Sequence, residues 1–257
     1  MGCRLGLALL VSFVLSGCVG EAKDDDSLNR VRQAGYIRIA TDPGYPPFSY
    51  LNDEGELAGY DVELGRELGN RLGVKATFVG IEVTSVFDAL IARKADVAIS
   101  AVSPAAEYGR EIGFSRGYFN AGQVFITRSG SKQIGEPKEL ENAVLGIEIG
   151  STGELEARKM AKFGPGLSLL PFESVEAEAQ ALSAGRCDAI IADRVTAIAL
   201  VQTMKELKIN GEPFTYEPYV VAVRRSGSAL LREINAILGA MAEDGFLKSL
   251  ERRFLLP

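Results

Sequence analysis

The sequence predicts an α/β protein of two lobes joined by a two-strand hinge. Segments typical of strands and helices alternate along residues 36–192, the order that builds a largely parallel sheet covered by helices. A pattern of helix end, turn, aspartate and apolar strand occurs twice, at residues 89–99 and 181–191, which indicates two related units. Apolar residues 123–127 and 219–223 flank the second unit and predict strands that cross between the lobes. Such a hinge leaves a cleft.

Composition limits what the two lobes can do. A chain of 257 residues can bury a core in each lobe. The formal charge of −6 argues against a nucleic-acid partner, which requires a basic face. The absence of histidine excludes Ser-His-Asp and Cys-His nucleophiles and histidine metal ligands. Any enzymatic chemistry would have to use carboxylates, lysines or tyrosines. We expect no catalytic residue, metal or cofactor.

The first element is an export signal. Residues 5–15 form an apolar run of the length found in signal peptides, too short to span a membrane. The run ends in Leu-Ser-Gly before Cys18, which resembles a bacterial lipobox, although a chance cysteine is the alternative. We expect residues 1–17 to be a lipoprotein signal peptide, and residues 18–34 to be a lipid attachment and tether. The protein is then anchored by lipid at the cell envelope, facing the periplasm or the exterior.

Cysteine usage agrees with this interpretation. Cys3 belongs to the predicted signal peptide and Cys18 to the lipid attachment, so Cys187 is the only cysteine of the predicted folded part. An intramolecular disulfide is then impossible. Cys187 precedes an apolar strand, which predicts a small buried hydrophobic side chain rather than a reactive thiol.

The strands and helices of the two lobes follow in order. The first lobe is expected at residues 35–122 and 220–257, and the second at residues 123–219. Alternation and apolar content predict strands at residues 36–41, 74–79, 97–102, 144–149, 167–170 and 189–192. Helical spacing of apolar residues predicts helices at residues 61–72, 84–92, 153–162 and 175–184.

Polar residues follow several of the predicted strands. In open parallel sheets a ligand lies beyond the carboxyl ends of the strands, so these residues are candidates for a site. They are Asp42, residues 100–103, residues 150–153 and Asp193. The Gly-Ser-Thr-Gly turn at residues 150–153 offers N–H groups and hydroxyls at a helix N-terminus, which suits a carboxylate. Asp42 and Asp193 offer charge to an ammonium group.

Each candidate also has a purely structural explanation. Ser151 or Thr152 can be a plain helix cap, and Asp193 can be the N-cap of the next helix. Asp42 can be a turn former, since a Pro-Gly pair follows it. The residues alone leave both explanations open.

Several motifs in a fixed order resemble one protein family. They are residues 41–50 (TDPGYPPFSY), 59–64 (GYDVEL), 95–100 (ADVAIS), 114–119 (FSRGYF), 150–154 (GSTGE), 187–193 (CDAIIAD) and 244–247 (DGFL). Together they resemble the family 3 extracellular solute-binding proteins, which serve ABC importers for polar amino acids, over essentially the whole chain after the tether. The resemblance implies a two-lobed periplasmic-binding-protein (venus-flytrap) fold, a monomer that captures a small-molecule ligand by lobe closure, and an ABC permease as partner.

The resemblance also implies positions for the ligand. Asp42 and Tyr45 fall where the family contacts the ligand side chain, and Asp193 falls where an aspartate binds the α-ammonium. Ser100, Ala101 and Ser103 fall where the family contacts the α-carboxylate and α-amine, with a further carboxylate contact at Thr152.

One departure from the family concerns the carboxylate. The family's carboxylate-binding arginine is replaced by Tyr108, and an aromatic residue that stacks on the ligand is replaced by Val83. Three explanations are open. Arg110 turns into the site and the ligand is an α-amino acid, or Tyr108 donates a single hydrogen bond in a weaker site. In the third, the ligand lacks the carboxylate and Asp42, Glu148, Asp193 and the tyrosines bind a cationic amine.

The expected function is therefore a receptor for an amino acid or cationic amine, without turnover. Two alternatives share the fold. Cyclohexadienyl dehydratases resemble these binding proteins but use the carboxylate-binding arginine, so Tyr108 counts against an enzyme. A ligand-sensing partner of a membrane receptor would use the same cleft and dock on a sensor instead of a permease.

Overall fold

A computed structural model describes residues 25–255 of the chain. The predicted signal peptide and Cys18 lie outside the described residues, and their assignment stays a prediction. Among the helices of the described part, none has both the length and the apolar character needed to cross a membrane.

Eight helices and thirteen strands form the described part of the chain. The helices are α1 (Ser27–Ala34), α2 (Tyr60–Leu72), α3 (Val86–Ile91), α4 (Thr152–Phe163), α5 (Val175–Ser183), α6 (Arg194–Thr203), α7 (Ser228–Glu243) and α8 (Phe246–Phe254). The strands are β1 (Tyr36–Thr41), β2 (Gly44–Tyr45), β3 (Ser49–Leu51), β4 (Leu57–Ala58), β5 (Lys75–Gly80), β6 (Val97–Ala98), β7 (Ile112–Asn120), β8 (Gln123–Arg128), β9 (Val144–Glu148), β10 (Ser168–Phe172), β11 (Ala189–Asp193), β12 (Leu207–Asn210) and β13 (Pro218–Arg224).

The two main sheets have the same layout, which confirms the two-lobed α/β fold. The first has the order β5-β1-β6-β13-β7 and the second β10-β9-β11-β8-β12. In each, three parallel strands are followed by an antiparallel strand that comes from a crossing segment, β13 in the first lobe and β8 in the second. Each lobe therefore borrows its fourth strand from the stretch of chain that links it to the other lobe.

Helix α2 shows how the sequence specifies an element of the first lobe. Leu64, Leu68 and Leu72 recur at helical spacing, and all three are buried in the first-lobe core. Gly73 ends the helix in the left-handed conformation, with a φ of +75°, as is common for a glycine just after a helix. The predicted helix at residues 61–72 is confirmed.

The strand predicted at residues 97–102 is shorter than expected. Strand β6 comprises only Val97 and Ala98. Beyond it the chain turns away from the sheet, because the N–H of Ala101 donates to the buried Asp61 carboxylate at 2.7 Å instead of to a neighbouring strand. Ala101 takes a φ of +48°, which is uncommon for a residue with a side chain.

The end of the predicted tether belongs to the folded part. Residues 27–34 form α1, and Val31 is buried in the first-lobe core. The preceding Asp25 accepts hydrogen bonds from the Ser228 hydroxyl and the Ala229 N–H at the start of α7. Residues 25–34 are thus fixed by helix packing and capping, which the charged composition of this stretch did not reveal.

Two segments, at residues 121–122 and 211–217, link the lobes and lie against each other. The N–H of Gln123 donates to the Thr215 hydroxyl at 2.7 Å, and the Asn120 amide donates to the Thr215 carbonyl at 2.9 Å. Gly122 permits this approach, since a Cβ at that position would lie 2.1 Å from the Thr215 carbonyl oxygen. We call these paired segments the crossing.

Helix α6 of the second lobe also touches the first lobe beside the crossing. Arg194 pairs with Glu251 of α8 at 2.7 Å, and its guanidinium lies 4.8 Å from the centre of the Phe119 ring. Ile198, one turn further along α6, is buried in the first-lobe core. The N-terminal end of α6 is therefore held against both lobes.

Candidate functional site

A cavity of about 130 Å³ lies in the second lobe, beyond the carboxyl ends of β9 and β11. Four of the residues that the sequence predicted for the site line it together: Glu148, Ser151, Thr152 and Asp193. They meet because β9 and β11 are parallel neighbours, so the residues that follow them share one sheet edge. We call this the second-lobe cavity.

The two carboxylate oxygens of Asp193 differ in their hydrogen bonds. It ends β11 and caps α6, where Oδ1 accepts hydrogen bonds from the N–H groups of Val195 and Thr196, both at 3.0 Å. Within residues 25–255, Oδ2 makes no hydrogen bond. The helix-cap explanation therefore accounts for half of the carboxylate, and the other half is free to bind a ligand.

The start of α4 provides donors at the same cavity. The Ser151 hydroxyl caps the helix by accepting from the Glu154 N–H at 3.0 Å, and it donates to the Glu148 carbonyl at 2.8 Å. The hydroxyl of Ser151 is thus fully engaged. The N–H groups of Thr152 and Gly153, in the first helical turn, have no partner inside the helix, which suits them to bind an anion.

Gln123 is a cavity residue that the sequence analysis missed. It is buried, its Nε2 donates to Glu217 at 3.3 Å, and its Oε1 has no partner within the described part of the chain. It opens β8 and pairs with Asp193 across the sheet. The sequence does contain a signal that could have identified Gln123, because a polar residue stands at the start of an otherwise largely apolar strand.

The first lobe contributes an open hollow of about 330 Å³, which we call the first-lobe hollow. It is lined by Val83, Thr84, Phe87, Ala101, Val102 and Ser103. Ala101 and Ser103 were predicted site residues, and Ser103 is exposed with no hydrogen bond in the described structure. The side chain of Ser100 is buried, and its hydroxyl accepts from the Asp42 N–H at 3.0 Å. The Ser100 hydroxyl therefore joins the loop after β6 to the loop after β1.

Asp61 is a second residue that the sequence analysis missed. It is fully buried and accepts hydrogen bonds from the Tyr118 hydroxyl at 2.8 Å and the Ala101 N–H at 2.7 Å. Burial raises the pKa of this carboxyl to about 7, although both hydrogen bonds act in the opposite direction. Asp61 thus holds the loop at residues 100–103 in its turn, and the N–H of Ala101 is not available to a ligand.

Asp42 does not offer a free carboxylate. Its Oδ1 accepts from the Gly44 N–H and its Oδ2 from the Val83 N–H, each at 2.8 Å. The turn-former explanation describes the first contact, while the second joins the loop after β1 to the loop after β5. Both carboxylate oxygens of Asp42 are therefore engaged in joining these loops, and its contact with a ligand stays a prediction.

Tyr108 and Arg110 occupy different environments. The Tyr108 ring packs on Phe87, with ring centres 4.9 Å apart, at the edge of the first-lobe hollow. Arg110 is exposed, and within the described structure its guanidinium makes no hydrogen bond or ion pair. Val83, at the position of the missing aromatic residue, is 45% exposed. The structure therefore does not bring Arg110 into contact with the other predicted residues.

Tyr45, Phe48 and Tyr219 form an aromatic cluster in the first lobe. Tyr45 stacks on Phe48, with ring centres 5.8 Å apart, and its hydroxyl lies 3.5 Å from that of Tyr219. Burial raises the pKa of Tyr219 well above its ordinary value, and Tyr45 and the negative charge of Asp193 contribute to the increase. Asp193 of the second lobe is thus close enough to Tyr219 of the first to affect it. Tyr219 is a third residue that the sequence analysis did not assign to the site.

Two titratable groups lie beneath the second-lobe cavity. Glu178 is buried on α5, where burial raises its pKa to about 8 and the charge of Glu148 adds to the increase. Cys187 is also buried, and burial raises the pKa of its thiol to about 11, so it is an inert hydrophobic residue as predicted. In the described part of the chain no group of three or more Cys, Asp or Glu residues is placed to hold a metal.

The second-lobe cavity and the first-lobe hollow, which we call the two half-sites, differ in the groups that they offer to a ligand. The second-lobe cavity offers a carboxylate oxygen and helix N-terminal N–H groups, which together suit a small molecule with an ammonium and an anionic group. The first-lobe hollow and the aromatic cluster offer mostly apolar surface.

Comparison with known proteins adds an independent finding. The family model described as bacterial extracellular solute-binding proteins, family 3, matches residues 37–257. The L-cystine-binding protein TcyJ of Escherichia coli K12 is 28% identical over 248 residues, covering 96% of this chain and 92% of the relative.

Solved structures agree on the fold. An ancestral arginine-binding protein bound to arginine is 33% identical, covers 86% of this chain and 98% of its own, and has a TM-score of 0.52. An ancestral cyclohexadienyl dehydratase is 25% identical, covers 89% of this chain and 95% of its own, and has a TM-score of 0.79.

Proposed function

The chain belongs to the family 3 bacterial extracellular solute-binding proteins, and on that premise we propose that it is the lipid-anchored receptor of an ABC importer for a polar amino acid or a related small amine. Its curated relatives are binding proteins, and it is a binding protein rather than an enzyme. The solute binds between the lobes, which close over it before the closed monomer docks on the permease. Cys18 carries the lipid.

The observation that carries this proposal is the free Oδ2 of Asp193 beside the N-terminus of α4. The Asp193 carboxylate binds the ammonium group of the solute, and the N–H groups of Thr152 and Gly153 bind its carboxylate if it has one. Glu148, in the same cavity, adds negative charge and favours a cationic solute. The relatives include binding proteins for L-cystine and for L-arginine, both of which carry ammonium groups.

The three explanations for Tyr108 differ in what supports them. The Tyr108 ring packs on Phe87, so its hydroxyl offers a single donor at most, and the exposed Arg110 guanidinium makes no hydrogen bond or ion pair in the described structure. We favour a site in which the second lobe supplies the charged contacts and the first lobe closes an apolar and aromatic surface over the solute. Amines that lack a carboxylate are then ligands in addition to amino acids.

Two variants of Asp193 separate its two functions. Asp193→Asn keeps the oxygen that caps α6 but removes the charge, so we expect an unchanged thermal midpoint. Affinity for the solute should fall about 10- to 100-fold, because a hydrogen bond to a charged group contributes about 1.5–3 kcal/mol. Asp193→Ala should lose the cap as well, which costs about 1 kcal/mol of stability.

The solute is identified first by thermal unfolding of the full chain with amino acids, polyamines and quaternary amines. A solute present at about 100 times its dissociation constant adds roughly 2.7 kcal/mol of stability. Calorimetric titration then compares the variants, with Asp53→Asn as a control because Asp53 is exposed and lies outside both half-sites. Wild-type affinity in Asp193→Asn would show that the ammonium contact is wrongly assigned.

The anchor is tested separately. Labelled fatty acid should be incorporated into the wild-type chain in bacterial cells and not into Cys18→Ser, and the variant should appear outside the membrane fraction. Equal labelling of both chains would refute the lipid anchor without affecting the assignment of the solute site.

A further inference from the structure

The first lobe contains another cavity, of about 350 Å³, at the opposite end of its sheet from the first-lobe hollow. It is formed where β1 begins and β13 ends, whereas Asp42 and the hollow lie where β1 ends. Four arginines line it, Arg30, Arg38, Arg93 and Arg224, together with Asp96. We call it the arginine cavity.

The Asp96 carboxylate forms its hydrogen-bonded ion pair with one of the four arginines, Arg38. Arg38 forms a two-bond ion pair with Asp96, with Nε–Oδ2 at 3.1 Å and Nη2–Oδ1 at 2.8 Å, and its Nη1 donates to the Arg93 carbonyl at 3.0 Å. At the rim, Arg30 pairs with Asp26 at 3.2 Å. Two guanidinium groups, those of Arg93 and Arg224, remain without a carboxylate partner among the described residues.

Arg224 is held in place by neutral acceptors. Its Nη1 donates to the carbonyls of Leu90 and Ala95, at 3.0 and 3.2 Å, which leaves its other nitrogens without a hydrogen bond in the described structure. Burial lowers the pKa of Arg224 and the positive charge of Arg93 lowers it further, while the negative charge of Asp96 acts in the opposite direction. The cavity thus concentrates positive charge that the single lining carboxylate, Asp96, neutralises only in part, in a chain whose net charge is −6.

Arg93 is the arginine with the fewest ties. Its backbone takes a φ of +59° in the turn after α3, and its exposed side chain makes no hydrogen bond or ion pair within residues 25–255. Its guanidinium is therefore free to turn toward an anion that also meets Arg224. Two such groups can present parallel N–H donors, the geometry that matches the oxygens of a phosphate group.

We propose that the arginine cavity binds a phosphate-bearing anion, held between the guanidinium groups of Arg93 and Arg224. The volume admits a phosphate or a small phosphodiester, and a carboxylate would engage fewer of the free donors. This site is separate from the solute site and serves a different ligand.

The position of the cavity suggests two sources for the anion. Ser27 of α1 lines the cavity, and residues 18 and 25 are seven residues apart, at most about 25 Å of extended chain. If Cys18 is lipidated, which is part of the proposed function, the cavity lies within reach of phospholipid headgroups. Free inorganic phosphate is the other source with the same chemistry.

The test uses the full chain purified in a non-ionic detergent. It is titrated calorimetrically with inorganic phosphate and, separately, with glycerophosphoglycerol, the deacylated headgroup of phosphatidylglycerol. Sodium chloride at matched ionic strength measures the non-specific effect of salt. We expect saturable binding of at least one of the two phosphates, and a reduction of about tenfold or more in Arg93→Gln, because one charge-assisted hydrogen bond is lost.

Arg252→Gln is the matched control, since Arg252 is exposed on α8 and does not line the cavity. Tighter binding of glycerophosphoglycerol than of phosphate identifies the headgroup as the source, and the reverse identifies the free anion. No saturable binding at millimolar concentrations, or equal binding by Arg93→Gln and wild type, overturns the proposal. Solute binding should be unchanged in Arg93→Gln, so a failure here is distinguishable from a failure of the solute site.

Discussion

The buried carboxyl of Glu178 should make the stability of this protein fall as the pH rises. Its Oε1 accepts a hydrogen bond from the Ile191 N–H at 3.3 Å, and its Oε2 has no partner in the described structure. With its pKa raised from 4.5 to about 8, the folded protein retains a proton that the unfolded chain has lost. Its stabilising contribution is therefore fully present below pH 4.5 and is lost as the pH rises through 8.

The size of the effect follows from that interval. Each unit of difference in pKa corresponds to about 1.36 kcal/mol, so Glu178 alone should reduce the free energy of unfolding by about 4–5 kcal/mol between pH 4.5 and 8. Glu178→Gln should remove this dependence, because the amide is neutral at every pH and its oxygen can still accept from the Ile191 N–H. At pH 8 the variant should be about 4 kcal/mol more stable than the wild type, and at pH 5 nearly equal to it.

Urea unfolding between pH 5 and 9 measures this difference. Asp61, whose pKa is also raised by burial, adds a slope of the same sign, but it is present in both proteins and cancels in the comparison. Glu176→Gln is the control, since Glu176 is exposed on the same helix. Parallel pH profiles for the wild type and Glu178→Gln would refute the reasoning, because they would show that Glu178 is ionised in the folded protein.

Two further predictions concern the crossing and the first lobe. Gly122→Ala should destabilise the protein by about 1–3 kcal/mol, because its Cβ would meet the Thr215 carbonyl at 2.1 Å; Gly80→Ala, whose Cβ meets nothing closer than 3.9 Å, is the control in thermal unfolding. An unaltered midpoint for Gly122→Ala would contradict the close pairing of the two segments. Tyr108→Arg should raise affinity for α-amino acids about tenfold by adding a two-bond partner for the carboxylate, with no gain for amines that lack one. Calorimetric titration of both classes tests this, and an equal change in the two would place residue 108 away from the carboxylate.

Much of the fold was predictable because it depends on local pattern. The 3.6-residue spacing of leucines specified α2, and alternation specified β1, since both elements bury one face. The lobe arrangement followed from the repeated unit and the two apolar segments beside it. Helix α1 was missed, because its packing and the cap that Asp25 forms on α7 join residues about 200 positions apart in the chain.

The candidate site was predictable only in part, for a similar reason. Residues that follow parallel strands converge by topology, so Glu148, Thr152 and Asp193 could be grouped from the sequence. The hydrogen bonds of Asp61 to Ala101 and of Tyr45 to Tyr219 connect distant segments, and no local pattern encodes them. Sequence also does not show which oxygen of a carboxylate is already engaged, and that decides whether it is free for a ligand.

The attachment of α6 at the crossing has a mechanical consequence. The N–H of Arg194 donates to the carbonyls of Ala121 and Gly122, both at 3.1 Å, so the neighbouring Asp193 lies directly beside the crossing. Displacement in a rotation grows with distance from its axis. If the second lobe turns about the crossing, as the proposed function requires, Asp193 has a short lever arm, whereas Thr152, which follows β9, two strands away from β8, travels further. A solute held by Asp193 would then be displaced little by closure, and the outer part of the second lobe would make most of the movement.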